Sequence, residues 1–375
     1  MSHMRPSVLI VSNGYGEDAV GNALARDLGN KAEVVAYPLV GLGHAYLGVR
    51  LLNPRKDLPS GGFGLRGSWG TFLADLREGS LGLWHGQRKT LRGHPGKHTR
   101  VVAIGDVFCL WLAAHAASPA IFVATAKSEY NERHRLPEIW LLRRHAALVF
   151  TRDQPTAVSL AARGVTARYA GNPLVDTIPA PEAPLPLPAG APVILLLPGS
   201  RADALQNLRV LLKVCLQVHA EAGAAFVCSL PPTLEVVTVV RNAMGVGWEA
   251  EGQYVRSGQT RVLLTRDFGS AVRSATIAVG LAGTANEQVA GLGKPVVAFP
   301  GPGTQYTAKF MNLQARLLGE ALVPTPDWRE AAEAVLRLLD DSSERARRGQ
   351  AGLERMGSPG AIKSIAEEIL KRPSD

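Results

Sequence analysis

Short apolar runs alternate along this chain with amphipathic stretches of helical period. Ser7–Val11, Glu33–Tyr37, Arg100–Ile104, Ala120–Ala124 and Ala147–Phe150 read as strands, and Asp18–Leu28, Val107–Ala117 and Gln154–Arg163 as helices between them. A strand without a polar face is buried on both sides, the mark of a parallel sheet covered by helices. The rhythm returns with strands at Val193–Leu197, Ala224–Ser229, Arg261–Leu264, Thr276–Val279 and Pro295–Phe299. The helices there are Ala202–Ala222, Leu234–Met244, Phe268–Ser274, Thr284–Leu292, Tyr306–Leu318 and Trp328–Leu339. A last helix is predicted near Pro359–Leu370, after a Gly-Ser-Pro break.

The pattern fails in two places. Between residues 53 and 99, Phe72, Leu73, Leu76, Leu81, Leu83 and Trp84 are mixed with basic and small residues, and only a short helix at Thr71–Arg77 is supported. A long irregular segment inside an α/β domain is usually functional. The second break is the proline-dense stretch Ile178–Pro188, which can continue neither a helix nor a central strand. The expected fold class is therefore α/β, with two Rossmann-like domains built on parallel sheets. The first domain spans 4–178, the linker 179–192 and the second domain 193–357. The helix at 358–375 is left free to pack back on the first domain.

Length, composition and the chain start add further bounds. A length of 375 residues suits two domains. A formal charge of +9 points to an anionic partner, which is nucleic acid, an anionic membrane surface or a phosphorylated substrate. The basic residues cluster at Arg88, Lys89, Arg92, Lys97 and Arg100, and at Arg133, Arg135, Arg143 and Arg144. The three cysteines, Cys109, Cys215 and Cys228, have neither paired nor zinc-ligand spacing, which fits a reducing compartment. No stretch reaches the roughly 18 apolar residues of a membrane span, and residues 7–11 are too short for a signal-peptide core. Met1-Ser2-His3 ahead of Met4 has the look of a cloning remnant, which puts the natural start at Met4.

The candidate chemistry sits where strands run into glycine turns and then helices. Such a unit offers backbone N–H groups and a positive dipole end to an anion. Leu197-Pro198-Gly199-Ser200-Arg201 is one, and its Arg201 adds a planar fork for phosphate oxygens. Gly283 and Thr284 open a second such helix, on which Glu287 or Gln288 could reach ribose hydroxyls. Gly14 and Gly16, followed by Glu17 and Asp18, make a third turn. The dinucleotide fingerprint fails there, because Ala19 stands where its last glycine belongs. Asp106 ends a strand, where it could take a proton from a substrate hydroxyl or simply cap the next helix. His44, His85, His94 and His98 are rival bases, and no histidine pair has metal-ligand spacing. Phe63, Trp69, Phe72 and Trp84, beside Arg88, Lys89 and Arg92, suit an acceptor groove at an anionic lipid surface.

Leu197–Arg201, Ala170–Asp176, Ala282–Ala285 through Gly293–Pro295, and Ile104-Gly105-Asp106 together resemble the lipid-A-disaccharide synthase-related family. More distantly the chain is similar to the muramyl-lipid N-acetylglucosaminyltransferases. The resemblance implies a GT-B fold, two Rossmann-like domains with parallel sheets facing an interdomain cleft, with a lipid acceptor on the first domain and a UDP-sugar on the second. It implies a metal-independent hexosyltransferase with no cofactor beyond the nucleotide-sugar substrate. Its partners would be that donor, a lipid acceptor and an anionic membrane surface, with no nucleic acid. Its location would be cytoplasmic, peripheral to the inner membrane. The ribose-binding position falls on Gln288, with Glu287 beside it, and Gln305 takes a sugar-hydroxyl position. Two alternatives remain: a soluble enzyme like UDP-N-acetylglucosamine 2-epimerase, and a non-enzymatic nucleic-acid binder. The second would show salt-dependent binding, and no recognised nucleic-acid motif supports it.

Overall fold

A computed structural model describes residues 5–56, 80–94, 99–200, 203–231, 234–244 and 247–371. The chain forms two compact units, Met1–Thr177 with Pro359–Asp375, and Ile178–Ser358.

The first unit is built on β1 (Ser7–Ser12), β2 (Glu33–Pro38), β3 (Arg50–Leu51), β4 (Thr99–Gly105), β5 (Ala120–Ala124), β6 (Ala146–Thr151) and β7 (Ala167–Tyr169). Their order in the sheet is β3-β2-β1-β4-β5-β6-β7, and every pairing is parallel. Alternate residues of each strand enter different cores, as period-2 side-chain geometry requires. Leu9, Val11, Val101, Ala103 and Phe122 pack with Leu83 and Leu91, with Leu110, and with Ile139 and Leu142. Those partners lie on the helices Ser80–Gly93, Val107–Ala113 and Leu136–His145. Val8, Ile10, Val102, Ile104 and Val123 pack on the other face, with Leu24 of the helix Tyr15–Leu28. Ile362, Ile365 and Ile369 of the helix Ala361–Lys371 complete that face. The Asp176 carboxylate holds the start of this last helix, accepting from the N–H groups of Gly360 and Ile362, both at 2.8 Å.

Two features of this unit differ from the pattern-based expectation. The segment read as irregular contains the helix Ser80–Gly93, whose buried face is Leu83, Gln87 and Leu91. The polar middle residue hid the stripe, and Gln87 Nε2 satisfies itself by donating to Leu39 O at 2.7 Å. The helix Leu136–His145 escaped because Leu136 and Trp140 lie exposed, which blurs its amphipathic period.

The second unit carries β8 (Val193–Leu197), β9 (Ala225–Ser229), β10 (Glu249–Glu251), β11 (Tyr254–Ser257), β12 (Thr260–Thr265), β13 (Ile277–Gly280), β14 (Val296–Ala298) and β15 (Leu322–Pro324). Their order is β10-β11-β12-β9-β8-β13-β14-β15. The sheet is parallel as expected except at one edge, where β10–β11 and β11–β12 are antiparallel. These edge strands are short and polar, so no apolar run announced them. Residues 179–186 lie against this unit. Arg273 Nη1 donates to Pro179 O at 2.6 Å, Glu182 N to Asp267 Oδ2 at 2.9 Å, and Tyr254 OH to Pro186 O at 2.8 Å. The helix Ser342–Met356 was also unforeseen, since its buried positions are Gly349, Gly352 and Met356.

Candidate functional site

In each unit the strand order reverses beside the first strand. At such a point neighbouring turns diverge and leave a crevice at the C-terminal edge of the sheet. In the first unit Ser12 pairs with Ile104, so the turns after β1 and β4 emerge side by side. Gly14, Gly16 and Asp106 are thereby brought to one edge. Gly105 has φ +143, and a Cβ there would lie 3.0 Å from Asn13 Cβ, so the close approach of the two turns requires glycine.

The carboxyl groups at this edge have different surroundings. Asp106 Oδ1 accepts from Cys109 N at 2.9 Å, so the helix-cap role is realised. Glu17 Oε1 accepts from Thr125 Oγ1 at 2.9 Å, at the end of β5. Burial pushes the Glu17 carboxyl up, and the Asp106 charge adds to this. Its own N–H, Thr125 and Arg152 oppose it. Asp18 is fully buried, accepting from Ser12 Oγ at 2.6 Å, while that hydroxyl also lies 2.8 Å from Tyr46 OH. Burial raises the Asp18 pKa to about 7. Thr125 and Arg152 were not anticipated. Each directly follows a strand on the ligand-bearing edge, and that position was the available signal.

In the second unit Gly280 pairs with Leu197, and Leu281 N donates to Leu197 O at 2.9 Å. The turns carrying Gly199 and Ser200, and Gly283 and Thr284, are therefore neighbours. Gly199 has φ +87, with Leu281 O only 3.0 Å from where a Cβ would sit. Gln305 joins them, because its N–H donates to Asp203 Oδ2 at 2.8 Å. Asp203 thus ties the 301–305 loop to the first turn. Asn207 Nδ2 fixes the turn by donating to Pro198 O at 2.9 Å. Behind the second turn, Asn286 Nδ2 donates to Gly280 O at 3.1 Å and Gln314 Nε2 to Gly283 O at 2.9 Å. Glu287 and Gln288 are each only 8% exposed. Burial raises the nearby Tyr306 hydroxyl pKa, and the Glu287 charge adds to the rise. Arg201 lies outside the described residues.

The aromatic and basic candidates of the helix Ser80–Gly93 meet the helix Val107–Ala113 in the first unit. Trp84 stacks on Phe108 with ring centroids 4.8 Å apart. Arg88 lies 5.8 Å from the Trp111 ring centre, and its Nε donates to His115 Nε2 at 2.9 Å. Two adjoining cavities, of about 230 and 250 Å³, share His85 and Arg88. Trp84, Trp111 and Leu112 line one, and Lys89 and Arg92 the other. Phe108, which stacks on Trp84, is two residues past Asp106 on the helix that Asp106 caps. Phe63, Trp69, Phe72 and His98 lie outside the described residues. His44 is exposed after β2, and His94 follows the helix Ser80–Gly93. Among the described residues no group of three His, Cys, Asp or Glu is placed to hold a metal. No described helix is long and apolar enough to cross a membrane. All three cysteines are free and buried.

Two Rossmann-like units, each with a glycine-turn edge, define an α/β protein of the GT-B class. Known proteins agree. The chain is 27% identical over 234 residues to the lipid-A-disaccharide synthase of Myxococcus xanthus (strain DK1622), covering 56% of this chain and 58% of that protein. The match thus spans little more than half of that curated relative's length. CalG4, the calicheamicin glycosyltransferase, superimposes with a TM-score of 0.61 at 17% identity, over 98% of this chain and 99% of its own. A putative UDP-N-acetylglucosamine 2-epimerase from Listeria monocytogenes gives 0.58 at 16% identity, over 96% and 95%. No family model matches the chain. The resemblance carried by Leu197–Arg201 and its companion motifs is met by the first of these relatives, and the fold by the other two.

Proposed function

We propose that this chain is a glycosyltransferase that moves a sugar from a UDP-linked donor to a hydroxyl borne on a lipid. The observation that carries the reading is the side-by-side placement, on β8 and β13, of two glycine turns that each lead into a helix. Two positive helix ends at one edge suit a diphosphate. Similarity to a lipid-A-disaccharide synthase favours a lipid acceptor. The charge of +9 and the Trp84–Arg88–Trp111 flank favour action at an anionic membrane surface, as a peripheral protein on the cytoplasmic side.

In this reading the acceptor oxygen attacks the anomeric carbon, and the bond from that carbon to the diphosphate oxygen breaks. The electron pair leaves with UDP. The hydroxyl proton passes to a carboxylate at the edge of the first unit, where Asp106 and Glu17 stand. Arg201 and the helix N-termini stabilise the leaving charge in place of a metal. Glu287 or Gln288 holds the ribose, and Gln305 a sugar hydroxyl.

A second reading, a nucleotide-sugar 2-epimerase, is favoured by the fold match to the Listeria protein. Thermal shift with UDP and UDP-N-acetylglucosamine, followed by assay of UDP release with and without lipid vesicles, separates the two. Stabilisation with lipid-dependent UDP release supports glycosyl transfer. Epimerisation without an acceptor moves the assignment to the second reading. The absence of stabilisation by any nucleotide sugar refutes both.

A further inference from the structure

Glu17 belongs to the first turn of the helix Tyr15–Leu28, where its own N–H bonds its carboxylate, and that carboxylate also has a distant partner. It reaches across the ends of β1 and β4 to Thr125, beyond β5. Thr125 is itself fixed. Its N–H donates to Gly105 O at 3.1 Å, and its carbonyl accepts from Arg152 Nη1 at 3.0 Å. Glu17 is therefore held at the C-terminal edge of the sheet, partly open to solvent, with one oxygen bonded by a hydroxyl.

The two neighbouring carboxyls are engaged differently. Asp106 is engaged along the chain: one of its oxygens accepts from Cys109 N and caps the helix Val107–Ala113. Asp18 is wholly buried behind the turn, on Ser12, and its other oxygen has no hydrogen-bond partner. It cannot meet a substrate.

We propose that Glu17, oriented by Thr125, takes the proton from the acceptor hydroxyl, and that Asp106 is a positioning residue beside it. This rests on the glycosyltransferase reading. As the new bond to the anomeric carbon forms, the acceptor O–H proton moves to the Glu17 oxygen not held by Thr125, and UDP leaves with its electron pair. The proton is later released to water.

The groups facing Glu17 define its pH behaviour. They are Asp18 on its own helix, Asp106 and Cys109 after β4, Tyr46 from the loop before β3, and Arg152 after β6. Burial pushes Asp18, Cys109 and Tyr46 up, so the two groups outside the carboxyl set stay neutral at ordinary pH. Asp176, on the short helix packed against Tyr15–Leu28, is occupied by the N–H groups of Gly360 and Ile362. Burial holds the Glu17 proton affinity high, the Asp106 charge adds to it, and Arg152 opposes it.

The test is UDP release from UDP-N-acetylglucosamine with vesicles of Gram-negative total lipid extract, measured against pH for the full chain. Glu17→Gln should lose about 10²–10⁴-fold in kcat, the range for a lost general base, with KM for the donor unchanged. Glu17→Asp keeps a carboxylate but cannot reach Thr125, and it should lose at least about tenfold in kcat. That variant decides the matter if Glu17→Gln fails to fold. Asp106→Asn keeps the cap. Its acid limb should move to lower pH, because removing the neighbouring charge lowers the pH at which Glu17 must be deprotonated. Full kcat in folded Glu17→Gln, or in Glu17→Asp, overturns the proposal and leaves the glycosyltransferase reading intact. Loss of all turnover in Asp106→Asn, with no shifted limb, also overturns it. A wild-type chain that releases no UDP refutes the underlying reading and this proposal with it.

Discussion

Asp18→Asn should change the slope of stability against pH. Asp18 is fully buried, and its Oδ1 accepts from Ser12 while Oδ2 has no hydrogen-bond partner. Burial lifts its pKa from 3.8 to about 7; the Ser12 bond opposes this, the Glu17 charge adds to it and Arg55 opposes it. In the unfolded chain the group ionises near its ordinary value. Between about pH 4 and 7 the folded protein therefore holds a proton that the unfolded chain has lost, and stability falls as pH rises through that window. Three pKa units correspond to roughly 4 kcal/mol, a ceiling on the cost present in full above pH 7 and absent below pH 4. Asparagine keeps the Ser12 bond and never ionises. It places an N–H₂ where Oδ2 had no partner, a pH-independent loss of roughly 1–3 kcal/mol if no acceptor is found. Urea unfolding of both proteins from pH 4.5 to 8 should show the wild type favoured at the acid end. The difference should shift toward the variant by about 3–4 kcal/mol by pH 8. Parallel stability curves across that range would refute the reasoning.

Gly352→Ala should destabilise the second unit by roughly 1–3 kcal/mol, against the roughly 1 kcal/mol that alanine normally gains in a helix. The reason is that a Cβ there would lie 2.3 Å from Ala290 O, and a urea midpoint at or above the wild-type value would contradict it. Arg201→Ala should weaken UDP binding by about 1.5–3 kcal/mol, the range for a hydrogen bond to a charged group, and calorimetry showing equal affinity would remove Arg201 from the site. Replacing Arg88, Lys89 and Arg92 together with serine should reduce co-sedimentation with anionic vesicles and leave UDP affinity unchanged. Binding of the unaltered protein to anionic vesicles should weaken with salt, and equal recovery with neutral vesicles would argue against membrane docking.

The parallel sheets were legible in the sequence because runs such as Val8–Val11 and Val193–Leu197 have no polar side, and only burial on both faces accounts for that. The glycine turns at Gly14, Gly199 and Gly283 were legible too, since turn chemistry is local and carries its own residue signature. The helix Ser342–Met356 was not. Its buried face is largely glycine, seated on the carbonyls of Gly293 and Ala290, so close backbone approach replaces the apolar stripe that periodicity detects. The partners of polar groups were equally hidden. Glu17 meets Thr125, 108 positions away, and Asp203 meets the N–H of Gln305, 102 away. Those encounters depend on strand order, which non-local packing sets. Short-range pattern tells which segments are strands and where anions could bind. Only the assembled sheet decides which carboxylate merely caps a helix and which reaches across to a neighbouring turn.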